Sequence, residues 1–238
     1  MKKRLSSLST KKKGRWQALF LFFILLTFVF FVTFSVFNLP YFYVKNVEIK
    51  GNVRLSSSEI LEKIPSPFYN SIFKVSLKKI SGEILSKLPV KKVKVKRKLP
   101  STVVIEIEER FPYACVERKD GIWEVDEEGV ILNRLKDTKG FPLICEIDPV
   151  RDKKLLLEAI KVIKTLHLVN LNTKKITFEK EKGIVVELEK GLHLILGTNP
   201  NYRYFFYLPY IFEDAKRRKE QFSFIDLRFE GQIIASLK

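Results

Sequence analysis

The chain has 238 residues, of which 46% are hydrophobic and 30% are charged. This balance is typical of a folded protein and excludes an intrinsically disordered or collagen-like chain. The 44 Lys and Arg residues exceed the 27 Asp and Glu residues by 17, and such an excess raises the question of an anionic partner such as nucleic acid or lipid.

The N-terminal part of the chain has the pattern of a membrane anchor. Residues 1–15 contain seven Lys and Arg residues and no acid, and residues 16–44 contain no charged residue. The run 18–37 is nearly all Leu, Phe, Ile and Val, and as a helix it would be about 30 Å long, the thickness of a hydrocarbon core. We therefore predict a basic cytoplasmic tail over residues 1–15 and a transmembrane helix over residues 16–39.

The residues that flank this helix predict its orientation. Seven cations precede it and only two follow soon after, so the N-terminus is expected in the cytoplasm and the rest of the chain outside. Trp16 and the run Tyr41–Tyr43 fit the aromatic belts of the two interfaces. A cleaved signal peptide would have a shorter apolar region and a small-residue cleavage pattern, which the sequence after the span lacks. Attraction to anionic lipid headgroups accounts for the positive charge of the tail, so a nucleic-acid partner is not needed to explain it.

The next elements predict a small β-α-α-β-β domain. A strand over residues 44–49 is followed by a capping-box pattern at residues 56–59 that opens a helix over residues 59–64. Apolar residues then recur at helical spacing and predict a second helix over residues 76–88.

Two alternating runs around Pro100 predict a β-hairpin that completes this domain. Folding about Pro100 would place Lys94 opposite Glu106 and Lys92 opposite Glu108, so one face would carry opposite charges and the other Val and Ile. The lysine-rich run is then explained as a partly neutralised strand face rather than a nucleic-acid site.

The remainder of the chain predicts short strands and two helices. One helix is expected over residues 152–168 and another over residues 201–221, where Pro209 either kinks the helix or marks its true start. Two final strands, over residues 222–229 and 232–237, end the chain. An uncovered terminal strand could accept a strand from a partner. Further strands are predicted over residues 114–117, 122–125, 130–132, 175–179, 184–189 and 192–196.

A series of short motifs runs through both halves of the chain. In order they are residues 47–52, 88–90, 95–102, 109–114, 123–130, 141–143 and 224–229. Together with the basic tail and the single span, the series resembles the FtsQ/DivIB family of bacterial division proteins. The resemblance implies an α+β fold, with a POTRA domain over residues 43–112 and an FtsQ-type β domain over residues 113–238. Val90 and Phe229 depart from the family, which often has Trp and Tyr at those positions.

The resemblance also implies partners and contact residues. The last strand would contact an FtsB-like chain, with an FtsL-like chain alongside. Pairing of Arg228 with Asp226 inside the domain is an alternative explanation for that arginine. Ser236 stands where some family members have Trp. The implied partner-binding residues are Arg228, Phe229, Gly231, Ile233, Ile234 and Ser236, and the implied POTRA motif is Leu88, Pro89 and Val90.

No catalytic, metal or cofactor site can be assembled from the sequence. His167 and His193 lie in apolar stretches without a partner at ligand spacing. The sequence does not decide whether Cys115 and Cys145 form a disulfide, because it does not give the distance between their Cα atoms. The lack of such a site, together with what the family resemblance implies, predicts a non-enzymatic scaffold in the cytoplasmic membrane at the division septum, with no cofactor, nucleic acid or small-molecule substrate. A membrane-anchored cell-envelope enzyme is the alternative.

Overall fold

The computed structural model describes residues 7–37, 39–189 and 191–238. Part of the predicted basic tail, residues 1–6, lies outside the described residues, as does Asn38 near the predicted end of the span. The chain divides into two compact units, one that ends at Glu109 and one that runs from Arg110 to Lys238.

The first helix, α1, runs over Ser7–Phe37. Its segment Ala18–Val36 is the one helical segment of the described residues that is long and apolar enough to cross a membrane. None of this segment is buried against other parts of the structure. Its apolar surface is therefore not used for packing among the described residues.

The first unit has the predicted β-α-α-β-β order. Its elements are β1 (Asn46–Lys50), α2 (Ser57–Lys63), α3 (Leu77–Lys87), β2 (Val90–Lys98) and β3 (Thr102–Glu109). A short 3₁₀ helix over Pro40–Phe42 precedes them. Ser56 and Ser76 cap the two helices, because each side-chain oxygen accepts a hydrogen bond from the backbone N–H three residues later.

The three strands of this unit lie in the order β1-β3-β2, with β1 parallel and β2 antiparallel to β3. The hairpin has the predicted register, with Lys94 opposite Glu106 and Lys92 opposite Glu108. The ion pair of Glu106 is nevertheless made with Lys96, at 2.9 Å, because a long side chain can reach the diagonal neighbour across a strand pair. The face is thus partly neutralised.

The core of the first unit lies between the two helices and the opposite face of this sheet. Ile60, Ile80 and Ile84 of the helices are buried against Val103 and Ile105 of the central strand.

The second unit is built on a nine-stranded sheet. Its elements are β4 (Ala114–Arg118), β5 (Gly121–Val125), β6 (Ile131–Leu135), β7 (Leu143–Ile144), α4 (Lys153–Leu168), β8 (Thr173–Glu179), β9 (Gly183–Leu188), β10 (His193–Gly197), a 3₁₀ helix (Tyr202–Tyr207), α5 (Leu208–Arg218), β11 (Phe222–Asp226) and β12 (Ile234–Leu237). Pro209 lies in the first turn of α5 and so marks the start of that helix, where its missing N–H costs nothing.

The strands of the second unit lie in the order β12-β11-β10-β9-β8-β7-β4-β5-β6. Five neighbouring pairs are antiparallel, and the pairs β4–β7, β7–β8 and β10–β11 are parallel. Leu156, Ile160 and Leu166 of α4 are fully or almost fully buried in the core of this unit. The order leaves β12 at one end of the sheet.

The two cysteines are free and buried. Cys115 lies opposite Leu143 in the parallel pair of β4 and β7, so Cys145 is displaced by two residues, about 6.6 Å along the strand. This displacement separates the thiols and leaves no disulfide. Burial raises the pKa of Cys115 to about 11 and that of Cys145 to about 12, since an apolar environment disfavours the thiolate.

Candidate partner-binding edge of the C-terminal sheet

The last two strands form an antiparallel hairpin at the end of the large sheet. Asp226 lies opposite Ile234, Ile225 opposite Ala235 and Phe224 opposite Ser236. On its other side β11 pairs in parallel with β10. β12 pairs with β11 alone among the described strands, so its outer edge carries backbone groups that a further strand could use.

An ion pair between the buried Asp226 and the exposed Arg228 lies at the end of β11. Arg228 donates from Nε to Asp226 Oδ1 at 3.0 Å and from Nη2 to Oδ2 at 2.7 Å, and its backbone N–H also donates to Oδ1. Burial raises the pKa of Asp226, but the hydrogen bonds from Arg228 outweigh this effect and hold the pKa below its ordinary value. The structure thus contains the pair between Arg228 and Asp226 that the sequence offered as an alternative to partner binding.

The arginine is also positioned by its neighbours. Its guanidinium carbon lies 5.6 Å from the ring centre of Phe229, a cation–π distance. A Cβ atom at Gly197 would come within 3.2 Å of Arg228 Cγ, so glycine leaves room for the aliphatic part of the side chain. A groove of about 540 Å³ beside Arg228 is lined by Tyr204 and Glu230 among others.

The turn between β11 and β12 is held from outside the hairpin. Gly231 has a φ of 76°, in the left-handed region that glycine adopts without strain. Its N–H donates to the hydroxyl oxygen of Tyr204 at 2.6 Å. Tyr204 belongs to the 3₁₀ helix before α5, so the turn is fixed by an element distant in sequence.

Apolar side chains are exposed on and beside this hairpin. Phe229, Ile234 and Leu237 are 41%, 42% and 52% exposed. Ile233, by contrast, is partly buried against the core of the unit. Ser236 is half-buried, and its carbonyl accepts a hydrogen bond from Ser223 Oγ at 3.1 Å.

The structure therefore gathers six of the predicted site residues in one hairpin and gives them different surroundings. Arg228, Phe229 and Ile234 are accessible, Gly231 forms the turn, and Ile233 packs inward. The three residues of the predicted POTRA motif lie in the first unit. Leu88 and Val90 are buried in its core and Pro89 is half-buried. The motif therefore packs inside the first unit.

Sequence reasoning did not identify Tyr204 or Leu237 as parts of this site. Tyr204 is 27 residues away from the turn that it holds, and no sequence pattern joins the two positions. Leu237 is recognisable only once the final strand is known to be an edge.

Potential metal ligands do not converge in the part of the chain that the structure describes. No group of three or more His, Cys, Asp or Glu residues suited to a metal ion occurs among residues 7–37, 39–189 and 191–238. His167 and His193 are both exposed and lie on α4 and β10.

Comparison with known proteins concerns both units. Residues 42–110 match the family model of the FtsQ-type POTRA domain. The chain is 31% identical over 117 residues to the cell division protein DivIB of Clostridium tetani, in an alignment that covers 49% of this chain and 44% of the relative.

Two further relatives align over longer stretches. The cell division protein FtsQ of Streptomyces bingchenggensis is 26% identical over 179 residues, with 71% of this chain and 67% of the relative covered. The cell division protein FtsQ of Rickettsia typhi is 29% identical over 177 residues, with 69% and 66% covered. The chain thus spans about two thirds of these two proteins and less than half of the DivIB proteins of Clostridium tetani and Clostridium acetobutylicum, of which it covers 44% and 43%.

Proposed function

Because this chain belongs to the FtsQ/DivIB family of cell division proteins, we propose that it is a non-enzymatic membrane scaffold of the bacterial divisome. In this proposal α1 crosses the cytoplasmic membrane once at the septum, with the N-terminus in the cytoplasm and both compact units outside. The hairpin of β11 and β12 binds an FtsB-like chain, with an FtsL-like chain alongside, and thereby positions both.

The observation that carries this proposal is the absence of charge on one sheet edge. The two sheets of the described residues have four edge strands, β1, β2, β6 and β12. β1 contains Glu48 and Lys50, β2 contains five Lys and one Arg, and β6 contains Arg134. β12, with the sequence Ile-Ala-Ser-Leu, has no charged residue. Charged side chains protect edge strands from pairing, so β12 is the edge best suited to receive a strand.

The groups around β12 add specificity to such pairing. An added strand would bond to the outer backbone groups of β12 and could cover Ile234 and Leu237, which are exposed. Arg228 keeps a partly exposed guanidinium at the end of the hairpin despite its bond to Asp226. It can therefore offer a remaining N–H to a carboxylate or carbonyl of the partner.

The experiment is a capture assay with the full-length chain in lipid nanodiscs. The probes are the purified external segments of the FtsB-like and FtsL-like proteins of the same organism. Ile234→Lys places a charge on the β12 edge and is expected to weaken capture about tenfold or more, equivalent to about 1.4 kcal/mol. Phe229→Ala tests the aromatic neighbour of Arg228.

Val53→Lys is the matched control, because Val53 is an exposed apolar residue of the first unit. This variant should bind like the parent chain. Absence of capture by a folded parent chain, or equal capture by parent and Ile234→Lys, would refute the edge-strand mechanism.

A further inference from the structure

Three segments of the first unit come together where the chain leaves α1. They are residues 39–45, 67–74 and 98–101, and we call them the proximal loops. Val44 N–H donates to the carbonyl of Asn70 at 2.9 Å, and Ile72 N–H donates to the carbonyl of Phe42 at 2.8 Å. Lys45 N–H donates to the carbonyl of Ser101 at 2.9 Å. Backbone hydrogen bonds therefore fix all three loops around residues 42–45.

The proximal loops expose large apolar side chains. Tyr69 is 88% exposed, the largest exposed fraction among the large apolar residues of the described chain. Singly scattered apolar residues on a surface need no explanation, but these lie on loops that are bonded to one another. The other exposed apolar residues of the loops are Leu39, Tyr41, Phe73 and Leu99.

The loops are close to the end of the apolar segment of α1. Leu39 N–H donates to the carbonyl of Val36 and Phe42 N–H to the carbonyl of Leu39, so the chain takes two successive tight turns. Each of these turns keeps the Cα atoms at its two ends within about 7 Å, so the Cα atoms of Val36 and Phe42 are at most about 14 Å apart. The headgroup region extends only about 5–8 Å beyond the hydrocarbon core, so the exposed rings can reach it.

The charge of the proximal loops suits the same environment. The proximal loops contain no Asp or Glu. Lys45 and Lys74 are exposed on two of these loops. Aromatic side chains beside lysines form the combination that membrane interfaces favour. The amphipathic ring lies at the level of the headgroups, and the ammonium group pairs with lipid phosphate.

The loops are also held rigidly in place. Arg97 of β2 donates from Nε to the carbonyl of Ile72 at 2.7 Å and from Nη2 to the carbonyl of Val75 at 2.9 Å. The ring of Phe42 packs against that of Phe73, with centroids 5.4 Å apart. The rings therefore need little ordering when they meet a surface.

We propose that the proximal loops rest on the headgroup layer of the membrane that α1 crosses, with Tyr69 and Tyr41 in the interface. The contact would fix the orientation of the first unit relative to the bilayer. The inference rests on the proposed function, because it requires that α1 spans the membrane.

The test uses tryptophan fluorescence of the full-length chain in nanodiscs of phosphatidylcholine and phosphatidylglycerol, with and without brominated acyl chains that quench nearby tryptophan. Three single-tryptophan chains are compared in a Trp123→Phe background. The first keeps Trp16, the second carries Trp16→Phe and Tyr69→Trp, and the third carries Trp16→Phe and Val53→Trp. Circular dichroism establishes that each chain is folded.

Val53 is the matched control because it is 76% exposed and lies beyond the far end of β1. That strand starts beside the proximal loops and carries the chain about 13 Å away from them over Asn46–Lys50. We expect brominated lipid to quench the tryptophans at positions 16 and 69 and to leave the one at position 53 bright.

Each other outcome overturns a stated part. Quenching at position 16 without quenching at position 69 refutes the contact and leaves the span intact. Absence of quenching at position 16 refutes the span and, with it, the contact. Equal quenching at positions 69 and 53 also refutes the inference, because the contact would then not be specific to the proximal loops.

Discussion

The carboxylate of Glu109 offers a sharp test of how the first unit is held together. Glu109 ends β3 and is buried, with 6% of its surface exposed. Its Oε1 accepts hydrogen bonds from Val53 N–H at 2.8 Å and Leu55 N–H at 3.0 Å, and its Oε2 accepts one from Arg54 N–H at 2.8 Å. One side chain thus satisfies three successive backbone donors of the loop between β1 and α2.

Glu109→Gln keeps the shape of the side chain and removes the charge. The amide NH₂ group then faces a backbone N–H, so at least one bond is lost and the others become bonds between neutral groups. A bond to a charged group contributes about 1.5–3 kcal/mol and a neutral one about 0.5–1.5 kcal/mol. We therefore expect the free energy of local opening of this loop to fall by about 3 kcal/mol.

Hydrogen exchange followed by mass spectrometry measures this loss in the full-length chain in nanodiscs. The amides of residues 53–55 should exchange about a hundredfold faster in the Gln variant, since each 1.4 kcal/mol is a factor of ten. Glu108→Gln is the control, because Glu108 is half-exposed and makes only a surface pair with Lys92 at 3.3 Å. Such pairs contribute about 0–1 kcal/mol. Equal effects of the two substitutions would refute the argument.

Three further predictions concern the second unit. Asp126→Ala should destabilise this unit by about 2–4 kcal/mol in urea unfolding, because it leaves the backbone N–H groups of Glu128 and Val130 without their acceptor and removes one of the two carboxylates that pair with Arg110. Cys115 and Cys145 should resist iodoacetamide at pH 8 in the folded chain and react after unfolding, because burial raises both pKa values to about 11 and about 12. Asp226 has a lowered pKa, so its contribution to stability is present above the unfolded value of about 3.9 and is lost as the pH falls further. The protection of the β11 amides, measured relative to the intrinsic exchange rate at each pH, should therefore fall below about pH 4, and unchanged protection there would contradict the pairing.

The hairpin of the first unit shows what a sequence pattern can determine. Its alternation of Lys and Glu with Val and Ile fixes which residues share a face, and a slip of one residue would expose the whole apolar set. The predicted register was therefore confirmed at Lys92, Lys94, Glu106 and Glu108. The alternation also puts Glu109 on the apolar side, but the three backbone donors that receive it depend on the path of a distant loop.

Other features needed the tertiary structure. β7 has only two residues, Leu143 and Ile144, which is too short for a periodic signal, although it joins β4 to β8 in the sheet. At the candidate site, the sequence located the terminal strand. The sequence could not distinguish the inward-packed Ile233 from the exposed Ile234, because Ile233 lies just before β12 and the alternation of strand side chains does not apply to it.

The terminal hairpin combines a free edge with a strand that is already ordered. Lys238 N–H donates to the carbonyl of Gln221 at 2.8 Å, Ser223 Oγ donates to the carbonyl of Ser236, and Tyr204 holds the turn. The ordering entropy of strand addition would then fall mainly on the partner. β12 has only four residues, so backbone pairing supplies few hydrogen bonds and the exposed apolar side chains must contribute the remaining affinity. Because those contacts form only after docking, substitutions along β12 should change the dissociation rate more than the association rate.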